Sequence, residues 1–127
     1  MEPGEPVERS DRLAAMYAAF NRRDIPAVLA ALAPSVSWPN GWEGGRVHGH
    51  EQVRDYWTRQ WAEIDPVVLP LAFATEPDGR VAVTVRQVVR TMQGAVIADE
   101  RVEHVYRFAA DLVTDMEIRG SDPWAEG

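Results

Sequence analysis

His104 is the residue of this sequence whose type and surroundings best suit acid–base chemistry. It lies in an alternating segment, residues 99–108, that is predicted to be a β-strand. Side chains alternate between the two faces of a strand, and one face carries Glu100, Val102, His104, Tyr106 and Phe108. The opposite face is mostly charged, so His104 is predicted to point inward. An imidazole near its normal pKa transfers protons readily at neutral pH, although a hydrogen-bonded core histidine fits the same pattern.

Gln87 is the second polar side chain that alternation places on an inner face. It shares that face of the predicted strand 80–92 with four valines, Val81, Val83, Val85 and Val89. Burying an amide without a partner costs a few kcal/mol, so Gln87 and His104 each need a hydrogen-bond partner. The partner could be the other residue, a helix side chain, water or a ligand. The helix residues that could supply a hydroxyl group as this partner are Tyr17 and Tyr56.

Several aromatic and apolar residues could form the wall of a mostly apolar cavity around these groups. The candidate ligand-binding residues are Gln87, Trp38, Tyr56, Trp57, Trp61, Tyr106, Val85, Val102, Phe108 and Met116. The alternative is that Trp57 and Trp61, four residues apart on one helix face, are core residues with no ligand to contact.

Composition and charge exclude several other kinds of site. The chain has 127 residues, a net charge of −7 and no cysteine, so thiol catalysis, disulfides and zinc–thiolate sites are absent. An acidic chain repels phosphate backbones, and we expect no nucleic-acid partner. No apolar run is long enough to span a bilayer, and the acidic N-terminus does not resemble a secretory signal. We therefore expect a cytoplasmic protein that does not bind membranes.

The three histidines do not show recognisable metal-ligand spacing, so no metal is expected. The sequence has no Walker-type or Rossmann-type glycine motif, and no cofactor is expected.

Hydrophobic periodicity predicts helices first and strands afterwards. Residues 1–8 are predicted to be a flexible arm, 9–120 a single domain and 121–127 a tail. The predicted helices cover residues 9–20, 24–34 and 50–62, with a short strand at 36–38 and a loop at 41–49 between the last two. The predicted strands cover residues 67–75, 80–92, 99–108 and 112–119, with an edge position or a bulge at Pro70. This order indicates an α+β fold with helices on one face of the sheet.

Two short motifs carry a resemblance to a known family. His48-Gly-His-Glu-Gln-Val53 and Asp24-Ile-Pro-Ala27 are similar to the entries of the third and second helices of ketosteroid isomerase. With the order of elements, they make the chain resemble the SnoaL-like, ketosteroid-isomerase-like branch of the nuclear transport factor 2 superfamily. The resemblance implies an NTF2-like cone, in which three helices pack on a curved, mostly antiparallel sheet that encloses a pocket.

The same resemblance implies a candidate catalytic set of His104, Tyr17 and Asn40. The isomerase base, an aspartate, falls on Asn40, its oxyanion tyrosine falls on Met16 beside Tyr17, and its second oxyanion donor falls on His104. Because an amide cannot accept the proton, steroid isomerisation in its usual form is not expected. His104 would then act as general acid or base on an apolar carbonyl compound, in a cyclisation, isomerisation or dehydration. Tyr17, Asn40 and Gln87 would donate hydrogen bonds to the developing oxygen anion.

Two other functions fit the sequence. One is a non-catalytic binding protein for an apolar ligand, and the other is an interaction module whose interior is only packing. A homodimer through the outer sheet face is expected in each case, because that face mixes both charge signs with Thr84, Val88, Val105 and Val113. The alternative is a solvated sheet whose opposite charges pair across strands.

Overall fold

The computed structural model describes residues 6–40 and 43–123, in which helices and two strands precede a run of four long strands. The helices are α1 (Pro6–Asn21), α2 (Ile25–Leu29) and α3 (Gly49–Glu63). The strands are β1 (Leu32–Pro39), β2 (Arg46–His48), β3 (Ile64–Thr75), β4 (Val81–Thr91), β5 (Val96–Ala109) and β6 (Leu112–Pro123). None of the described helices is both long and apolar enough to cross a membrane.

The strands form one six-stranded sheet in the order β2-β1-β6-β5-β4-β3. Neighbouring strands are antiparallel except for β1 and β6, which run parallel. The predicted α+β class, with helices against a mostly antiparallel sheet, is confirmed. β3 is an edge strand, and its register with β4 shifts between Pro70 and Ala72. This agrees with the prediction for Pro70, because proline cannot donate to the ladder and is confined to edges and bulges.

Helix α1 is fixed over the sheet by its apolar stripe and by its last residue. Leu13, Met16 and Tyr17 recur at helical spacing and are all buried. At the helix end, the Asn21 side chain donates from Nδ2 to the Val68 carbonyl at 2.8 Å and accepts from the Val68 N–H at 2.9 Å. This pair of bonds holds α1 against β3 and so fixes the position of Tyr17 relative to the sheet.

The second helix is shorter than predicted. Asp24 caps it as expected, with Oδ1 accepting from the Ala27 N–H at 3.2 Å, but it ends at Leu29. Leu32 and Pro34, predicted to be helical, belong to β1, where Leu32 pairs with Val113 of β6. Leu32 suits the buried stripe of a helix as well as it suits a strand. Its pairing with β6, far along the chain, decides that it is in a strand.

Other boundaries differ from the prediction by a few residues. α1 begins at Pro6, within the predicted arm, and the remainder of that arm lies outside the described residues. The predicted loop 41–49 contains the short strand β2, which pairs with β1. β6 extends to Pro123, beyond the predicted end at 119, and residues 124–127 of the predicted tail lie outside the described residues.

Strand alternation correctly places the inner faces of β4 and β5. Val81, Val83 and Val85 are buried on β4, and His104 and Tyr106 are buried on β5. Val113, predicted on the outer face, is instead 1% exposed and belongs to the core. The cause is a register shift of β5 against β6, where Arg107 pairs with Asp115 but Phe108 pairs with Val113. Thr114 is an extra, unpaired residue on β6. Side chains that precede it therefore face the side of the sheet opposite to the one that simple alternation predicts.

Candidate functional site

A cavity of about 430 Å³ lies between the helices and the inner face of the sheet. The helices contribute Met16, Tyr17, Phe20, Val28, Tyr56, Trp57 and Gln60 to its lining. The long strands contribute chiefly Val68, Gln87, Val89, Glu100, Val102, His104, Tyr106 and Met116. The space inside the cone is therefore open, and its wall is mostly apolar with a few polar groups, which is the usual composition of a small-molecule site.

The structure brings most of the predicted site residues together in this lining. Those present are Tyr17, Trp38, Tyr56, Trp57, Gln87, Val102, His104, Tyr106 and Met116. The predicted residues that do not line the cavity are Asn40, Trp61, Val85 and Phe108. Each of these four has another environment.

Three of the four are apolar residues that pack elsewhere. Val85 is fully buried in the core. The Trp61 ring stacks on the Trp57 ring, with centroids 5.9 Å apart. The Arg23 guanidinium lies over the Trp61 ring, 4.8 Å from its centroid. Phe108 lines a second, smaller cavity between α1, α2 and the β5–β6 turn.

Asn40 is buried, but its side chain organises the turn after β1. Its Nδ2 donates to Glu43 Oε1 at 2.9 Å, and its Oδ1 accepts from the Glu43 N–H at 2.7 Å. Arg59 of α3 donates to the same carboxylate at 2.8 and 3.1 Å. Hydrogen bonds from Arg59 and then from Asn40 lower the pKa of Glu43 to about 2. The expectation that Asn40 faces the pocket is thus corrected.

A buried hydrogen-bond chain joins α1 to β5 at the cavity wall. The Tyr106 hydroxyl donates to the Tyr17 hydroxyl at 2.7 Å, and the Tyr17 hydroxyl lies 2.9 Å from His104 Nδ1. The Tyr17 and His104 rings are stacked, with centroids 5.9 Å apart. The sequence predicted that His104 needs a partner, and the partner is the helix residue Tyr17. Within the described part of the chain, Tyr17 is the only hydrogen-bond partner of the His104 ring.

Burial keeps this hydrogen-bond chain uncharged. Loss of solvation lowers the pKa of His104 from its normal value to about 4. Burial is also the main reason that the pKa of Tyr17 and of Tyr106 is raised, since it disfavours each phenolate. At neutral pH the imidazole is therefore neutral, rather than partly protonated as the sequence suggested. Its Nδ1 either accepts from Tyr17 or donates to it, depending on the tautomer.

The sequence profile of the SnoaL-like domain matches residues 13–116. The chain belongs to the SnoaL-like family.

Solved structures with the same fold support this assignment. An NTF2-like protein of unknown function from Burkholderia pseudomallei is 30% identical over 93% of this chain and 92% of its own, with a TM-score of 0.77. TerC, crystallised with polyporic acid, is 26% identical over 87% and 88% of the two chains, with a TM-score of 0.76. A candidate polyketide cyclase from Sinorhizobium meliloti shares the fold at 17% identity, covering 86% and 94%, with a TM-score of 0.72. No curated protein matches this SnoaL-like chain.

Two polar residues of the SnoaL-like cavity were not selected from the sequence. Gln60 is buried on α3, and its Nε2 donates to the Tyr56 hydroxyl at 3.3 Å. Gln60 follows Tyr56 by four residues, and residues at this spacing share a helix face. This spacing alone indicates that Gln60 lies beside Tyr56 in the lining. Glu100 shares the inner face of β5 with His104, and the alternation of this strand already places it there. In the parts of the chain that are described, no three His, Asp or Glu side chains cluster as metal ligands would.

The buried imidazole predicts a pH dependence of stability. The pKa of His104 is about 4 in the folded SnoaL-like domain and about 6.5 in an unfolded chain, so the unfolded state binds more protons between these values. The free energy of unfolding should therefore fall by about 3 kcal/mol as the pH drops from about 6.5 to about 4. Urea titrations across this range measure it. The His104→Gln variant serves as control and should lose this component of the slope, whereas an unchanged slope would contradict the burial of a neutral imidazole.

Proposed function

We propose that this SnoaL-like protein is a small-molecule enzyme of the polyketide-cyclase and ketosteroid-isomerase-like type. Its substrate would be an apolar carbonyl compound, and its reaction a proton transfer beside the carbonyl. The observation that carries the proposal is the Tyr17–His104 hydrogen bond at the wall of an open cavity. A nitrogen base and a hydroxyl donor, held together by rigid elements, are the two groups that enolisation requires.

One tautomer of His104 gives both groups a role. If Nδ1 carries the hydrogen, it donates to the Tyr17 oxygen, which also accepts from the Tyr106 hydroxyl. The Tyr17 hydrogen is then available to the substrate oxygen, and Nε2 carries a lone pair. The proton leaves the carbon beside the carbonyl for Nε2. The electron pair of the broken C–H bond forms a carbon–carbon double bond, and the π pair of the carbonyl moves onto its oxygen. Tyr17 stabilises the negative charge that develops there.

Because its pKa is lowered, His104 forms only a short-lived imidazolium after it accepts this proton. An isolated imidazolium is unfavourable in a desolvated site, but the enolate formed in the same step offsets its charge. The imidazolium then returns its proton to another carbon, to a departing hydroxide that leaves as water, or to the alkoxide that forms when the enolate attacks a second carbonyl. Each transfer neutralises both charges. These outcomes correspond to isomerisation, dehydration and cyclisation.

The structural neighbours support a site for a small organic molecule. TerC is described with polyporic acid, and several proteins of the same fold are candidate polyketide cyclases. One fold hosts many functions, so the argument for chemistry rests on the hydrogen-bond chain.

A binding protein without catalysis is the second function that the structure favours. In the other tautomer, Tyr17 donates to Nδ1 and the ring presents Nε2–H to the cavity. The low pKa suits this arrangement, because a neutral imidazole is then a permanent hydrogen-bond donor. Such a site would hold a carbonyl oxygen and move no proton.

Hydrogen–deuterium exchange at carbon separates the two functions. The protein is incubated in D₂O with a panel of apolar cyclic ketones and aromatic diketones, and exchange beside the carbonyl is followed by NMR. Binding is measured on the same panel by calorimetry. Catalysed exchange supports the enzyme, and binding without exchange supports the binding protein. If no member of the panel binds or exchanges, both functions are contradicted.

We also propose that the protein forms a homodimer through the outer face of its sheet. On that face Leu69, opposite Arg86 on the neighbouring strand, is 40% exposed and offers apolar surface to a second copy. The charges of the face contribute less, because they pair within one chain, as do Arg86 with Asp99 at 2.7 Å and Arg119 with Glu103 at 2.8 Å. Val88 and Val105 are already buried within one chain, so their apolar surface contributes less than the sequence suggested.

Light scattering after size-exclusion chromatography should give twice the mass of one chain. Thr84→Lys adds a charge and bulk near the centre of this face, and should weaken the dimer about tenfold or more. Glu51→Gln on α3 serves as the control that leaves the mass unchanged. A monomeric wild-type protein, or a Thr84→Lys variant that dimerises normally, would show that this face is not the interface.

A further inference from the structure

The cavity lining has an unusual charge pattern. Of its described residues, none is lysine or arginine, and Glu100 is the only carboxylate. Burial keeps His104 neutral. The whole chain is also acidic, with a net charge of −7. Among the lining residues that the structure describes, an anionic ligand would therefore meet no opposite charge and one like charge, which is unfavourable in a partly desolvated site.

Glu100 lies at a fixed distance from the hydrogen-bond chain. Both Glu100 and His104 are on the inner face of β5, and β5 pairs with β4 without a register shift from Val83↔His104 to Gln87↔Glu100. Strands rise about 3.4 Å per residue, so four residues separate the two side chains by about 14 Å along the sheet. This separation is too long for both groups to act on one proton, but it suits the two ends of one ligand.

The Glu100 end of this face is polar, and the exposure of the strand increases towards it. Gln87 is the cross-strand partner of Glu100, so an amide and a carboxylate lie at the same level of the sheet. Tyr106 is fully buried and His104 is 6% exposed, whereas Ile97, which lies beyond Glu100, is 58% exposed. A group bound at Glu100 would keep part of its hydration, which lowers the cost of placing a charge there.

From these observations we propose that the ligand carries a protonated amine at the end opposite to its carbonyl or hydroxyl oxygen. The ammonium group donates to the Glu100 carboxylate and to the Gln87 amide oxygen, and the oxygen at the other end contacts Tyr17 and His104. The inference rests on the proposed function, and it narrows the substrate class to apolar amines with a distal oxygen. Individual lining residues determine ligand charge, so other members of this fold are free to bind acids.

Three rigid probes of one shape test the charge preference. Each is a biphenyl phenol, whose phenolic oxygen can contact Tyr17 and His104, and the far para position carries an aminomethyl, a methyl or a carboxylate group. Binding to the wild-type protein is measured by calorimetry at neutral pH. The aminomethyl probe should bind about tenfold more tightly than the methyl probe, and the carboxylate probe more weakly than both.

Variants assign the preference to one side chain. In Glu100→Gln the advantage of the aminomethyl probe over the methyl probe should disappear, while both probes still bind. Glu51→Gln removes an exposed acid of α3 outside the cavity lining, and should leave all three affinities unchanged.

The possible failures are distinguishable. If the methyl probe binds and loses affinity in His104→Gln, yet the amine gives no advantage or Glu100→Gln preserves it, the proposed site stands and the amine preference is overturned. Equal binding of the carboxylate and aminomethyl probes overturns it as well. If none of the three probes binds the wild-type protein, the ligand site itself is contradicted, and the amine preference falls with it.

Discussion

Replacing His104 with glutamine is expected to slow proton transfer on any substrate of this protein by about 10²–10⁴-fold. Glutamine can still hydrogen-bond to Tyr17, but it has no basic nitrogen to accept a proton from carbon. The measurement is the rate of deuterium exchange beside the substrate carbonyl, at saturating substrate. The variant should remain folded at neutral pH, because the neutral imidazole is replaced by another neutral hydrogen-bonding group.

Tyr106→Phe is the matched control for this prediction. It removes the hydroxyl that donates to Tyr17 at 2.7 Å but keeps Tyr17 and His104. A weaker donor to the substrate oxygen should reduce the rate about tenfold, with a smaller effect than the loss of the base. If His104→Gln exchanges protons as fast as the wild type, His104 is not the base. If both variants bind the substrate normally and the wild type never exchanges, the site is a binding site.

Trp57→Ala should produce the largest loss of stability among single substitutions in the cavity wall. Trp57 is 2% exposed and has three aromatic neighbours, Phe20, Trp38 and Trp61, at centroid distances of 5.5, 5.6 and 5.9 Å. Truncating a buried tryptophan costs about 3–5 kcal/mol, since it removes apolar contact and leaves a void. Urea denaturation followed by circular dichroism measures this loss in the free energy of unfolding.

Met92→Ala provides the comparison on the surface. Met92 is 57% exposed, so its truncation should change the free energy of unfolding by no more than about 0.5 kcal/mol. A loss below about 1 kcal/mol for Trp57→Ala would mean that α3 can move to fill the void. In that case the cavity beside Trp57 would be deformable, and its volume would not limit ligand size.

The elements with a clear period were predictable from the sequence. Alternation along β4 and β5 identified their inner faces, and Pro70 marked the irregular edge strand. The region around Leu32 was not predictable locally, because Leu32 suits the stripe of a helix as well as the inner face of a strand. Its pairing with Val113, far along the chain, decides the conformation. Tertiary contacts of this kind override local preference.

The site was predictable where regular strands carry it. Alternation alone predicts the inward positions of His104, Gln87 and Tyr106, and the need of His104 for a partner already indicated Tyr17. Val113 was misplaced because a single extra residue, Thr114, reverses the alternation of β6, and sequence patterns do not reveal such bulges. The direct bond between Tyr17 and His104 depends on where α1 lies over β5, which no local pattern specifies.

The turn at Asn40 depends on an amide side chain at that position. The Asn40 amide satisfies Glu43 twice, donating to its carboxylate and accepting from its backbone N–H. An aspartate at this position would lose the donor and place two carboxylates at hydrogen-bond distance. Asn40→Asp alone is therefore disfavoured while Glu43 is present, and the two positions must change together. Residue 40 is therefore constrained by the turn that it closes and not by the cavity, whose lining it does not join.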